Sequence, residues 1–315
     1  MTGSSTVLSA VIPVFGIAGV GLLIRRLDWL TEEADRSLLR VVINVLMPCL
    51  ILDSTLGNPA LQHWRNLALP PLVGFATVTA GMAVAWALAR WCGLRPGPEQ
   101  RTFALSVGLY NYSYVPIPLA ALLFDDRTMG VLFVHNVGAE TCLWTLGLMI
   151  LTGGACGGHW RQIINAPLIT ILVALFLNFT GAGTFVPAGL LKMVHILGQC
   201  AIPLALILVG AIIADHLDEF HRGESWRTIG GAAALRLGVL PLLFLLLARY
   251  LPASAELKRV IVLQAAMPAA VFPVVMASHY QGDAPTALRV VMGTAAISLV
   301  TAPLWIPFGL KFAGL

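Results

Sequence analysis

Apolar stretches long enough to cross a bilayer recur along the chain, separated by short polar turns. A spanning helix takes ~20 consecutive apolar residues. On that criterion the pattern predicts spans at 7–24, 38–56, 67–91, 101–124, 129–151, 167–181, 189–214, 229–250, 257–279 and 287–312. Of these, 167–181 is the shortest. The fold class expected is an all-α polytopic membrane protein with about ten transmembrane helices. Composition agrees: 58% of the 315 residues are hydrophobic and 11% are charged, against roughly 25% charged in soluble domains. Mean hydropathy is +0.86. No polar run is long enough to form a separate soluble domain, so lipid is the expected solvent for most of the surface.

Charge sets the expected orientation. With the N-terminus outside, the inner loops of the first half hold Arg25, Arg26, Arg36, Arg40, Arg90, Arg95, Arg101 and Arg161, and the outer loops only Arg65 and Arg127. Cytoplasmic loops are enriched in Lys and Arg, so both termini are expected outside, in a cell inner (plasma) membrane. The second half is balanced: Arg222, Arg227 and Arg289 inside face Lys192, Arg249, Lys258, Arg259 and Lys311 outside. The net charge of +4 is accounted for by these loop clusters and does not point to nucleic acid. The opening residues lack the basic n-region of a signal peptide, so the first stretch is read as a retained helix. Cys49, Cys92, Cys142, Cys156 and Cys200 have no paired spacing and read as small hydrophobes.

An internal repeat is visible. Asn44 and Pro48 recur as Gln199 and Pro203, an amide four residues before a mid-span proline in both. Trp64-Arg65 before the third span recurs as Trp226-Arg227 before the eighth, and Ala89-Arg90-Trp91 as Ala248-Arg249-Tyr250. The echoes keep their order at a nearly constant offset. They predict a five-helix duplication: residues 1–151, a connector at 152–166, and 167–315. Because five is odd, the second copy enters the membrane inverted, an arrangement common in secondary transporters.

Candidate chemistry gathers where spans break. The fourth span carries Pro116 and Pro118, and the ninth Pro268 and Pro273. Each proline removes a backbone donor and clashes with the preceding turn. Broken helices expose half-helix N-termini, which attract anions. The alternative is that these prolines only kink ordinary spans. Asn111, Tyr114, Gln264 and Met267 flank the breaks and are candidate substrate contacts, with Asn44 and Gln199 as pocket lining. The alternative for each amide is an interhelical hydrogen bond, worth ~1 kcal/mol. Glu140 lies near the middle of the fifth span, where a carboxylate is costly and marks function by default. Asn136 stands four residues earlier, on the same helical face. Together they are candidates for Na⁺ or H⁺ coupling; the competing reading is a structural pair between Glu140 and a cation such as Arg236. Arg236 could instead meet a substrate carboxylate. His135 and His195 read as packing or interface residues, and Asp53 as a helix-end group reaching water. There is no metal-ligand spacing, no nucleotide-binding glycine loop, and no nucleophile with a matching base. No cofactor is expected.

Several segments resemble the auxin efflux carrier family, within the bile acid–sodium symporter superfamily. These are the stretch from Gly21 to Ala34 followed by Asn44 and Pro48, the segment Gln264 to Pro273, and Asn111 with Ile117-Pro118-Leu119. The resemblance covers nearly the whole chain. It implies a 5+5 inverted repeat with the fourth and ninth spans crossing at the substrate site. It also implies a fixed scaffold of the first, second, sixth and seventh spans, and an elevator-like moving domain. Substrates would be organic anions, from indole-3-acetate to dicarboxylates such as malate, and a homodimer is a candidate assembly. The chain departs from the plant members in its short connector and in Pro116 and Tyr110, which puts auxin itself in question as substrate. The expectation is therefore a secondary transporter rather than an enzyme. The alternatives are a transporter-fold ligand sensor, an intramembrane enzyme using Glu140 or His135, and a channel.

Overall fold

The computed structural model describes residues 4–154, 164–222 and 225–315. Cys156, Arg161 and most of the expected connector, together with the side chain of Arg222, lie outside the described residues.

Every described element of length is helical. The chain runs through α1 (Ser4–Arg26), α2 (Glu32–Val41), α3 (Met47–Thr55), α4 (Arg65–Leu88), α5 (Pro98–Gly108), α6 (Pro116–Leu123), α7 (Asp126–Cys142) and α8 (Leu148–Thr152). It continues through α9 (Ala166–Thr180), α10 (Ala188–Arg222), α11 (Trp226–Ala234), α12 (Leu240–Tyr250), α13 (Ala255–Ala265), α14 (Phe272–His279) and α15 (Ala284–Ala313). Seven helical runs among the described residues are long and apolar enough to cross a membrane: Ser9–Arg26, Glu32–Thr55, Arg65–Leu88, Asp126–Thr152, Ala188–Asp215, Trp226–Tyr250 and Ala284–Ala313. The expected sixth span is a shorter apolar helix of 15 residues, α9. The expected fourth and ninth are each two short helices, α5–α6 and α13–α14, with non-helical chain between them.

Three of the long runs contain a π turn, at Val42–Leu46, Leu143–Gly147 and Leu235–Val239. Two of these precede a proline, Pro48 and Pro241, at the first turn of the next helical segment. Proline lacks the N–H and crowds the carbonyl four residues back. A wider turn just before it keeps the run continuous.

The helices pack as two groups. α1, α2–α3, α9 and α10 form one, with α1 lying along α10 and α3 between α10 and α9. The runs α4, α5–α6, α7–α8, α11–α12, α13–α14 and α15 form the other. Within each group the backbones touch. A Cβ on Gly21 would overlap the Ile207 carbonyl, and one on Gly210 the Ala18 carbonyl, which seals α1 to α10. In the second group Gly138 lies against the Pro71 carbonyl and Gly74 against that of His135, sealing α4 to α7. Small residues are what allow membrane helices to approach this closely.

The ends of the bundle are tied by polar contacts. At one end Arg25 pairs with Asp35 and with Asp215 (2.9 Å), holding the α1–α2 turn to α10. At the other, Ser254 donates to Asn66 (2.7 Å), and Arg259 lies 3.5 Å from Asp125, the N-cap of α7. Asp53, read as a helix-end group reaching water, is partly exposed and also meets His195 Nδ1 at 2.9 Å.

Candidate functional site

The two non-helical breaks meet each other. Asn111 N–H donates to the Pro268 carbonyl (2.8 Å) and Ala270 N–H to the Leu109 carbonyl (2.9 Å), with Tyr110 and Ala269 paired antiparallel between them. This answers the problem the prolines create: backbone groups inside a membrane must find protein partners. Ala269 N–H, next in line, donates to Thr294 Oγ1 (3.1 Å).

Arg236 completes the junction. It is fully buried at the π turn preceding α12. Its Nε donates to the Met267 carbonyl (3.0 Å) and its Nη2 to those of Gln264 (3.1 Å) and Ala265 (3.4 Å). The guanidinium lies over the rings of Tyr110 (5.2 Å) and Phe244 (5.3 Å). It thus places a cation at the C-terminus of α13, where the helix dipole favours one. It pairs neither with Glu140, as one sequence reading had it, nor with the cavity.

Beside this junction, on the seam between the two helix groups, lies a cavity of about 500 Å³. The first group contributes Ile43, Met47, Ile51, Asn165 and Leu168; the second contributes Asn136, Glu140, Trp144 and the breaks from Asn111 to Tyr114 and from Ala270 to Phe272. α6 and α14 both start at this wall. The lining is largely apolar and aromatic, and among the described residues it includes no Lys or Arg.

Of the sequence-predicted residues, the structure brings Asn111, Tyr114, Asn136 and Glu140 to the cavity. Asn111 is buried, and its Oδ1 accepts from Val115 N–H (3.4 Å) at the start of α6. Gln264 stands one layer back, donating from Nε2 to the Tyr112 carbonyl and to Asn136 Oδ1 (3.3 Å each). Its Oε1 is buried without a partner among the described residues. Pro116, Pro118, Met267, Pro268 and Pro273 are buried in the broken segments and shape the wall without lining it. Asn44 and Gln199 are exposed on the outside of the first group, away from the cavity. Asn44 spends its amide on the Arg40 carbonyl (2.9 Å). His135 packs behind the site, between Tyr110 (3.4 Å) and Asn136 (3.4 Å).

Several lining residues were missed, among them Tyr112, Trp144, Phe272 and Asn165. Asn165 caps α9 with its Oδ1, which accepts from Leu168 N–H (3.0 Å), and donates from Nδ2 to Glu140 Oε1 at 2.5 Å. The signal was present, since an Asn two residues before a Pro is a helix-start pattern. It lay inside a stretch read only as connector.

A helical chain with several membrane-length apolar runs and a cavity between two helix groups is a multi-pass membrane transport protein, and its surroundings are a lipid bilayer. The family model described as membrane transport protein matches residues 6–157 and 158–306, and the chain belongs to that family, the auxin efflux carrier family. It is 27% identical over 310 residues to an uncharacterized transporter of Methanothermobacter thermautotrophicus, covering 97% of this chain and 98% of that one. An uncharacterized transporter of Methanocaldococcus jannaschii is 23% identical over 306 residues, covering 95% and 97%.

Proposed function

We propose that the chain is a secondary active transporter that carries small organic anions by elevator-type alternating access. The observation that carries this reading is the cavity on the seam between two separately packed helix groups, walled by two breaks that satisfy one another. In this reading the chain has ten spanning segments in two inverted five-helix halves, 1–151 and 167–315, with α5–α6 and α13–α14 crossing at the site. The group of α1, α2–α3, α9 and α10 is the fixed scaffold, and the other group moves. The exposed face of the scaffold is where a homodimer would form. Both termini lie outside a cell inner membrane.

The anion's carboxylate would sit at the starts of α6 and α14, where the helix dipole favours negative charge; Pro116, Pro118 and Pro273 carry no N–H, and that of Ile117 is spent on the Ser113 carbonyl. Asn111 Nδ2 is a donor with no acceptor among the described residues, and Gln264 holds the wall in place. The apolar body of the substrate would lie among Ile43, Met47, Trp144 and Phe272. Asn136 and Glu140 would serve coupling to H⁺ or Na⁺.

The test is a thermal-shift panel of the purified protein against indole-3-acetate, malate and malonate, with and without Na⁺. A ligand of the native state raises the melting temperature by mass action. Stabilisation by a carboxylate that is lost in Asn111→Ala places the anion at the junction. Stabilisation by cations or neutral solutes, with none by anions, overturns the anion reading.

A further inference from the structure

Glu140 is the one carboxylate among the described residues that line the cavity. Its partner, Asn165, belongs to the opposite helix group. The Asn165 amide has no freedom to turn over, because its Oδ1 is committed to Leu168 N–H at the start of α9. Its Nδ2 must therefore be the atom that faces Glu140, and it wants an acceptor. Hydrogen bonds to an ionised carboxylate are about twice as strong as neutral ones, so this bond is strongest when Glu140 is charged.

Besides Asn165, the Trp144 side chain is within hydrogen-bonding reach of the Glu140 carboxylate; the other surroundings offer that charge little help. The break presents Tyr112 and Tyr114, both neutral phenols, and α14 presents Val271 and Phe272. The α2–α3 run presents Ile43, Met47 and Ile51, and α9 presents Asn165, Leu168 and Ile171. On α7 itself the titratable neighbours are Cys142, whose thiol meets Thr79 Oγ1 (3.3 Å), and His135, which points to Tyr110 and Asn136. Two negative charges, an ionised Glu140 and a bound anion, would share this apolar space without a described cation to separate them.

We propose that Glu140 and Asn165 form a proton-controlled latch: ionised Glu140 binds Asn165, holding the two helix groups in the cavity-open arrangement and excluding an anion, whereas uptake of one proton by Glu140 loosens the bond and admits one monoanion. The second clause rests on the anion-transport reading above; the first does not. The proton comes from water in the cavity and resides on a Glu140 carboxyl oxygen while the anion is bound. The site then gains no net charge on loading, which suits a monocarboxylate better than a dicarboxylate.

Two measurements test it. The first is calorimetric titration with indole-3-acetate, an acid fully ionised between about pH 6 and about pH 8.5. Wild-type affinity is expected to fall toward a limit of about tenfold per pH unit as Glu140 ionises, the slope of one linked proton. Glu140→Gln is expected to bind with one affinity throughout, close to that of the wild type at the acid end. Equal pH profiles in the two proteins overturn the proton clause while leaving anion transport standing. The second measurement needs no ligand. Ser113→Cys, in a background with the native cysteines replaced, is labelled with a thiosulfonate reagent, and each rate is divided by that of a free thiol at the same pH, because only the thiolate reacts. Labelling is expected to be faster at the alkaline end, and Asn165→Ala is expected to slow it there and flatten its pH response. Labelling indifferent to both pH and Asn165 overturns the latch. If no variant binds indole-3-acetate while labelling responds as expected, the latch holds and the anion clause fails.

Discussion

α7 has two faces, and they are built on opposite principles. Toward α4 it offers Gly138 and the His135 carbonyl, and the two helices meet backbone on backbone. Toward α3 and α9 it offers Asn136 and Glu140, joined by Trp144 from the π turn that follows, and between the helices lies the cavity. The first face has no room for another atom; the second keeps open a space that a small molecule can fill. A contact made of interlocked backbones resists sliding, because packed interiors have discrete arrangements and little slack. A contact made partly across a cavity, bridged there by the bond from Asn165 to Glu140, has fewer interlocked atoms to resist it. The contrast separates the helices that are locked to one another from those with a cavity between them.

The largest expected effect comes from filling the tight face. Gly138→Leu drives a side chain into the Pro71 carbonyl and should cost about 3 kcal/mol or more. Little monodisperse protein should survive size-exclusion chromatography; a normally folded variant would mean that α4 and α7 are not locked. Next is Arg236→Ala, which strips donors from three buried carbonyls around the end of α13. A loss of about 2–3 kcal/mol is expected, read as a lower melting temperature. On the open face, Asn111→Ala should leave the melting temperature of ligand-free protein nearly unchanged and weaken carboxylate binding about tenfold, or ~1.4 kcal/mol. An equal loss of stability without ligand would make Asn111 a structural residue.

The smallest effect lies at the end of α7, where both faces begin. Partial burial pushes the Asp125 carboxyl up, but the Thr128 hydroxyl, the Thr128 N–H and Arg259 together outweigh it and hold it below the ordinary 3.8. A carboxyl depressed by folding stabilises the native state above its unfolded value, and the contribution is lost as pH falls through the folded value. Asp125→Ala should therefore cost about 1 kcal/mol near neutrality, as for other N-caps. The gap from the wild type should close as pH falls through the depressed folded value.

Much of the architecture was legible in the order of residues. The runs were visible because lipid demands unbroken apolar length. The breaks were visible in the matched placement of Pro116 and Pro118 with Pro268 and Pro273, although proline alone does not end a helix here: Pro203 lies inside α10, and Pro303 and Pro307 inside α15. What could not be read was which way a helix faces. In a soluble protein polar residues mark the outside, but around a membrane protein the lipid is as apolar as the core. Asn44 and Gln199 thus looked like pocket residues by their spacing from a proline, and the structure puts both on the outer surface. Asn111, Asn136 and Glu140 were found because each combines polarity with a position beside a break or in mid-span. Asn165 escaped because its meaning depends on a partner 25 residues away across the seam. The π turns left no signal beyond the proline that follows two of them.

The pairing of the two breaks also bears on how the chain is made. Leu109 and Asn111 emerge from the ribosome long before Pro268 and Ala270, their hydrogen-bonding partners. At ~5–20 residues per second, the first break waits on the order of ten seconds for the second to be synthesised. During that interval its main chain must be wetted or held by the insertion machinery, because hydrocarbon offers it nothing. The first half of the protein is therefore an obligate intermediate, and a ribosome stalled between the two halves would leave a membrane-embedded fragment marked for proteolysis.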